Sequence, residues 1–267
     1  MRMTRQQVES MIKYEDEAVL VVHKPSFLAV ETKDPRQKDL VSLLVNRRAA
    51  AGETPYIGLV HRLDQPVEGL VVLAKTKQAA AALSKELGAG DFVKEYLAVV
   101  QGVTQESDTL VHTLKRDGRT NISSVVPAGS AGGKEARLSY RRLAVAKGAD
   151  GENGIGDINS ITGMQEKSLL RITLDTGRHH QIRVQFAAIG HPLLGDVKYG
   201  AGSEKTTNRE PQPLALCSCR LAFTHPKTGQ PMAFHTVPVG AGFAEFTAAL
   251  EASGEPERNI DRLPGSR

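Results

Sequence analysis

Ile57-Gly58-Leu59-Val60-His61-Arg62-Leu63-Asp64-Gln65-Pro66 is the stretch on which the reading of this chain turns. Its first half is too apolar for a surface loop, and Pro66 lacks the N–H that a continuing strand would donate. A strand over residues 57–63 with Asp64 at its mouth is therefore expected. Enzymes tend to hold reactive side chains at such strand-to-loop boundaries. An aspartate there either turns the chain by bonding its own backbone or takes part in chemistry.

Working outward, residues 19–22 read as a short buried strand and residues 39–51 as a helix, with Asp39 as N-cap and Gly52 past its end. Residues 70–74 form the next strand. Thr76 caps an alanine-rich helix over 77–87, which Gly88 and Gly90 stop. Residues 93–100 read as a long strand, and alternation around 109–114, 122–126 and 136–145 predicts antiparallel hairpins. Residues 148–163, rich in glycine and asparagine, predict a mobile loop within the sheet, and a strand over 168–174 follows. Thr176 is expected to cap a helix over 177–188. Its apolar stripe would be Ile182, Phe186 and Ile189, leaving His179 and Arg183 one turn apart on another face. A short helix over 244–250 precedes a frayed tail. This irregular alternation argues for an α+β sheet rather than a Rossmann unit.

The 267 residues suffice for one large or two small domains, and 40% hydrophobic with 24% charged residues describes an ordinary globular chain. No apolar run has signal-peptide or membrane-spanning length, so a cytoplasmic protein without a membrane partner is expected. Cys217 and Cys219 lie two apart in an expected strand, on one face but poorly spaced for a mutual disulfide, which suits a reducing compartment. Their spacing to His225 and His235 matches no common zinc pattern, so no metal is expected. Formal charge is only +4, from 34 basic and 30 acidic residues. Between His112 and Arg142, however, Lys115, Arg116, Arg119, Lys134, Arg137, Arg141 and Arg142 face only Asp117 and Glu135. That density suits phosphate contacts, or equally a solvated hairpin face.

The motifs around Asp64 keep specific company. His61-Arg62-Leu63-Asp64 is followed by Gly69-Leu70-Val71-Val72-Leu73-Ala74-Lys75-Thr76, by Lys94-Glu95-Tyr96-Leu97-Ala98, and by Thr176-Gly177-Arg178-His179-His180-Gln181-Ile182-Arg183-Val184. Gly190-His191-Pro192-Leu193-Leu194-Gly195-Asp196-Val197-Lys198-Tyr199-Gly200 and the early run to His23-Lys24-Pro25 extend the pattern over most of the chain. Together these resemble the RluA-type RNA pseudouridine synthase family. The resemblance implies a mixed, largely antiparallel central sheet flanked by helices. It also implies a cofactor-independent isomerase acting on ribosomal or transfer RNA as a monomer. Many relatives carry a small RNA-binding domain first, but only residues 1–13 precede Tyr14. The expected layout is thus an extension over 1–13, a catalytic domain over 14–250 and a flexible tail over 251–267.

By position the resemblance makes Asp64 the catalytic residue. Burial favours the protonated carboxyl, so a charged catalyst in a pocket needs a cation, and the family pattern assigns that pairing to Arg183. Tyr96, from the Lys-x-Tyr pattern, would pack on the target base and assist proton transfer. The uridine must be extruded from its stack, and Arg62 would fill the vacated space or hold a phosphate, unless it simply pairs with Asp64. Arg178 would bind phosphate near free N–H groups of the helix start. His179 and His180 stand open between RNA contact and surface polarity. His61 and Leu63 alternate to the other face and read as structural. One departure stands out: many relatives have threonine-serine-glycine where this chain has Val67-Glu68-Gly69. Glu68 would be silent if turned outward and selective if facing substrate. A catalytically silent RNA-binding or ribosome-assembly protein is the alternative of a different class.

Overall fold

The structure, a computed structural model, describes residues 3–34, 36–146, 166–200 and 213–252. In chain order the elements are α1 (Arg5–Ser10), β1 (Ile12–Glu15), β2 (Val19–Lys24), α2 (Leu40–Ala50), β3 (Gly58–Leu59), β4 (Glu68–Ala74), α3 (Lys77–Ala89), β5 (Val93–Gln101), β6 (Ser107–Asp117), β7 (Ile122–Val126), β8 (Lys134–Ala146), β9 (Lys167–Leu174), α4 (Gln181–Ala188), β10 (Leu216–Thr224), β11 (Pro231–His235), a 3-10 helix (Ala241–Phe246) and α5 (Thr247–Ala252). The expected α+β class, mixed and largely antiparallel, is what forms. The chain divides into two compact units, Met1–Tyr96 with Leu216–Gly240, and Leu97–Ala215 with Ala241–Ser253.

In the first unit the strand order is β1-β2-β4-β10, with β3 beside β4 and β11 beside β10. Its centre is β4, every residue of which is buried. β2 lies antiparallel to it over six residue pairs, from Val19↔Ala74 to Lys24↔Gly69. β10 lies parallel to it, with Cys217 opposite Glu68 and Ser218 opposite Gly69. A strand enclosed this way has no solvent face, which explains the unbroken apolar run Leu70-Val71-Val72-Leu73-Ala74. Val19, Val21, Leu70, Val72, Phe92, Leu221, Phe223 and Phe234 form the core with Ala79 and Leu83 of α3. The caps act as expected. Asp39 Oδ1 accepts from Ser42 N–H at 2.7 Å, and Thr76 Oγ1 accepts from Ala79 N–H at 3.1 Å. Gly88 does not stop α3, which runs through Ala89 to Gly90 in the left-handed conformation at φ +89°.

Two hairpin turns are pinned by one histidine. His225 Nδ1 accepts from the Thr228 N–H at 3.0 Å, so its proton sits on Nε2, which donates to Asp16 Oδ2 at 2.8 Å. Asp16 Oδ1 meanwhile accepts from the N–H groups of Ala18 and Val19, both at 2.8 Å. Cys217 and Cys219 are buried and form no disulfide, and the Cys219 thiol donates to the Glu95 carbonyl at 3.4 Å.

In the second unit β9-β8-β6-β7 are antiparallel neighbours. Gln185 of α4 reaches their backbone, its Nε2 donating to the carbonyls of Leu110 at 3.1 Å and Ala136 at 3.2 Å. The expected helix over 177–188 starts only at Gln181, and its N-cap is His180, with φ +53° and no side-chain cap bond. Thr176 does not cap it. Instead the Gln181 side chain folds back, Oε1 accepting from Thr176 Oγ1 at 2.8 Å and from Arg178 N–H at 2.9 Å, which makes residues 176–180 a closed turn. The buried surface also differs from the expected apolar stripe: Gln181, Arg183 and Gln185 are buried along with Ile182, Val184 and Phe186, while Ile189 is only half-buried. The strand expected over 57–63 shrinks to Gly58–Leu59, because the His61 side chain takes over the bonding of β4 there. The glycine-rich run 148–163 and most of the tail from residue 251 lie outside the described residues.

Gly69 has φ +115°, and a Cβ on it would stand 2.4 Å from the Ser218 carbonyl oxygen. Gly69→Ala is expected to cost about 1–3 kcal/mol, measured as a lowered midpoint in urea unfolding.

Candidate active site

Asp64 lies in the connection from β3 to β4, where the chain turns rather than ends a strand. Its carbonyl accepts from the Val67 N–H at 3.1 Å, closing a turn that contains Pro66. The turn is stitched to a second one, residues 24–28, in two places. Lys24 Nζ donates to the Gln65 carbonyl at 3.2 Å, and Gln65 Nε2 donates to the Phe27 carbonyl at 3.1 Å. Lys24 has no exposed surface, and its ammonium also donates to the carbonyls of Leu28 at 2.8 Å and Pro25 at 3.0 Å. Burial pulls the Lys24 pKa down to about 7, against the opposing pull of the Asp64 and Glu68 charges. The sequence marked Lys24 only as part of a motif; its role as the anchor of the Asp64 turn is a product of folding.

His61 is structural, though through its side chain rather than strand alternation, since β3 ends at Leu59. Its Nε2 accepts from the Val72 N–H of β4 at 3.1 Å, and its ring lies 5.6 Å from that of Phe92. Burial, with the nearby charge of Lys94, drives its pKa to about 3, so the ring is a neutral acceptor. Arg62 is exposed, its Nη2 3.5 Å from the Glu31 carbonyl. Tyr96 is 6% exposed. Burial first and the charge of Asp64 second push its hydroxyl well above the ordinary tyrosine range. At neutral pH it is therefore a phenol, able to donate a hydrogen bond but not to act as a phenolate base.

Glu68 follows neither expected course. It is 2% exposed, and its carboxylate accepts from the backbone N–H groups of Gly240 at 2.9 Å and Val239 at 3.2 Å. His23 Nε2 stands 3.7 Å away. The carboxylate thus fastens the segment after β11 to the start of β4.

In the second unit Arg183 is buried against a buried carboxylate. Its Nε donates to Asp196 Oδ2 and its Nη2 to Asp196 Oδ1, both at 2.7 Å, with the two side chains 4% and 0% exposed. Asp196 also accepts from the N–H groups of Lys198 at 2.9 Å and Tyr199 at 3.2 Å. The Tyr199 ring lies 5.1 Å beneath the guanidinium. Burial opposes the ionised form of Asp196, but Arg183 and those amides hold its carboxyl below the usual range. His180 Nδ1 bonds the Tyr199 hydroxyl at 2.7 Å, and His179 Nδ1 bonds Ser123 Oγ at 2.8 Å, while the two imidazoles stack at 3.7 Å. Arg178 is exposed but not at the helix start; its own N–H goes to Gln181, and its Nε donates to the Glu135 carbonyl at 2.7 Å. In the basic hairpin region, Arg137 pairs with Asp175, Arg116 bonds Asn121 and Arg142 bonds the Thr104 carbonyl. Among the described residues no cluster of histidine, cysteine or carboxylate could hold a metal ion, and no helix is long and apolar enough to cross a membrane.

Two substitutions check these arrangements. His61→Phe should cost about 1–3 kcal/mol by orphaning the Val72 N–H. Because the folded pKa of His61 is depressed, its contribution is complete above the ordinary histidine range and is lost as pH falls towards 3. The variant's thermal midpoint should therefore depend less on pH between 6.5 and 4 than that of the parent. Asp196→Ala, which removes a buried partner of a buried guanidinium, should cost about 3–5 kcal/mol in denaturant unfolding.

Residues 18–188 match the family model described as RNA pseudouridylate synthase. The Ribosomal large subunit pseudouridine synthase D of Vibrio cholerae is 33% identical over 258 residues, covering 92% of this chain and 72% of that protein. The Uncharacterized RNA pseudouridine synthase YlyB of Bacillus subtilis is 32% identical over 251 residues, covering 91% and 73%. Among solved structures, Human RNA Pseudouridylate Synthase Domain Containing 4 shares the fold at a TM-score of 0.66 and 19% identity, covering 92% of this chain and 95% of that one. Human RNA Pseudouridylate Synthase Domain Containing 1 does so at 0.65 and 24%, covering 94% and 90%. On the extent of the family match and of the bacterial relatives, this chain belongs to the RluA-type RNA pseudouridine synthases and is an isomerase.

Proposed function

We propose that the protein converts a specific uridine of large-subunit ribosomal RNA to pseudouridine, with Asp64 as the catalytic residue. The observation that carries the catalytic assignment is the double stitching of the Asp64 turn by Lys24 and Gln65. Such anchoring holds the turn in one place, which is what a carboxylate positioned for chemistry requires. The ribosomal target is supported by the similarity to the ribosomal large subunit pseudouridine synthases D of Vibrio cholerae and Haemophilus influenzae.

In the reaction the C1′–N1 bond breaks, the uracil turns while bound, C1′ joins C5, and the proton on C5 leaves while N1 gains one. Asp64 is the carboxylate that acts on the ribose and base. The family pattern assigns a catalytic role to Arg183 as well, whose guanidinium Asp196 fixes through two of its five N–H groups. Tyr96 offers its ring to the uracil and its hydroxyl as a donor, because that hydroxyl stays protonated. Exposed Arg62 and Arg178 meet phosphates and offset the cost of extruding the uridine, on the order of a few kcal/mol. The bonds of His179 and His180 to Ser123 and Tyr199 favour a supporting role in the turn before Arg183, with RNA contact secondary.

The test uses RNA labelled with tritium at uridine C5, taken from a strain deleted for this gene. Asp64→Asn should reduce tritium release by at least about 10³-fold while leaving the unfolding midpoint within a few degrees. Release within a few-fold of the parent would remove Asp64 from the mechanism. Mapping pseudouridines in the deleted strain should show the loss of a large-subunit ribosomal site; loss of a transfer-RNA site instead would correct the substrate.

A further inference from the structure

Phe27 combines two features that a purely structural residue would avoid. Its backbone is left-handed, at φ +66°, a region that Asn and His visit but that is an outlier for a bulky side chain. Its ring is also left in water: at 42% exposure it is the one aromatic among the large apolar side chains that stand exposed in the described residues. A single exposed valine calls for no explanation, but a phenylalanine that keeps a strained backbone while 42% of its surface stays in water does. Glycine would satisfy the backbone here without strain.

The surroundings hold this conformation in place. The carbonyls of Pro25 and Leu28, on either side of Phe27, both accept from the buried Lys24 ammonium. The Phe27 carbonyl itself accepts from the side chain of Gln65, the residue after Asp64. The turn is therefore fastened on three carbonyls, and one fastening runs directly to the Asp64 turn, which also carries exposed Arg62. An exposed aromatic side chain on a fastened turn, with an exposed arginine two residues before Asp64 in the turn it is bonded to, offers the two chemistries that unstacked bases and their phosphates take.

We propose that Phe27 is a stacking platform for an RNA base next to the isomerised uridine, working with Arg62 on the adjoining phosphate. The inference rests on the proposed RNA chemistry of Asp64 and adds a specificity-determining contact to it. Extruding one nucleotide leaves its neighbour with an uncovered face, and the Phe27 ring covers it.

The experiment uses the same C5-tritiated total RNA from a strain deleted for the gene. For Phe27→Gly and Phe27→Ala, the slope of initial rate against RNA concentration should fall about 5- to 100-fold, with the saturated rate within about twofold of the parent. Phe27→Tyr should restore the slope and Phe27→Leu should not. Phe27→Gly should unfold at the same temperature or higher, since glycine relieves the backbone; a merely structural ring would show the reverse. The chain contains no tryptophan, so Phe27→Trp adds a sole indole whose emission should be quenched by this RNA. Unchanged slopes in Phe27→Gly, or an indole blind to RNA that the variant still isomerises, would overturn the proposal. Should Asp64→Asn remain active, the catalytic assignment fails, while the quenching result still judges Phe27 on binding alone.

Discussion

The ammonium of Lys24, sealed from water, meets three carbonyl oxygens, and the placement of Asp64 depends on that meeting. Burying a lone charge is prohibitive; here three charge-assisted hydrogen bonds and the fields of Asp64 and Glu68 offset part of that cost, and burial still lowers the pKa to about 7. The geometry is matched, because an ammonium has three protons and no need of a fourth partner. Pro25 and Pro66 each remove a backbone donor from the two turns the lysine joins, so the side chain provides the donors that the turns lack. An apolar residue at position 24 would leave those carbonyls orphaned and remove one of the two bonds that tie the Asp64 turn to residues 24–28.

The same low-polarity surroundings decide what the neighbouring groups can do. His61 stays neutral and serves β4 as an acceptor, while Tyr96 keeps its proton. Neither adds a charge that would compete with Asp64, and both present fixed dipoles in a region where such dipoles act strongly. Glu68, which replaces a small polar residue of many relatives, gives its charge to two backbone amides and so needs no substrate group to neutralise it. In the second unit Arg183 and Asp196 solve the corresponding problem as a closed pair with two parallel bonds, backed by the Tyr199 ring. Such a pair is valuable less for stability than for orientation, since its two bonds fix the plane of the guanidinium.

Much of the fold was legible in the residues. The unbroken apolar run of β4, the caps at Asp39 and Thr76 and the alternation of β6, β7 and β8 are local patterns, and local patterns survive folding. Two of the failures share a cause. The strand expected over 57–63 and the helix expected from 177 were shortened by side chains bonding backbone, His61 to Val72 and Gln181 to Arg178. No periodicity records that competition, because the partners are chosen by geometry rather than by spacing. Phe27 was invisible for a related reason: phenylalanine after a Lys-Pro turn says nothing about a left-handed backbone.

What the sequence alone determined was the family chemistry, through separated motifs around Asp64, Tyr96 and Arg183, and the class of fold, through its apolar periods. Tertiary structure alone decided which groups are charged, which are held and which are offered to solvent. Lys24 became an anchor, Glu68 a clasp, Asp196 the holder of Arg183 and Phe27 an exposed face. The physical reason is that burial and hydrogen-bond partnership belong to surroundings assembled from distant segments, whereas the identity of a residue belongs to the chain.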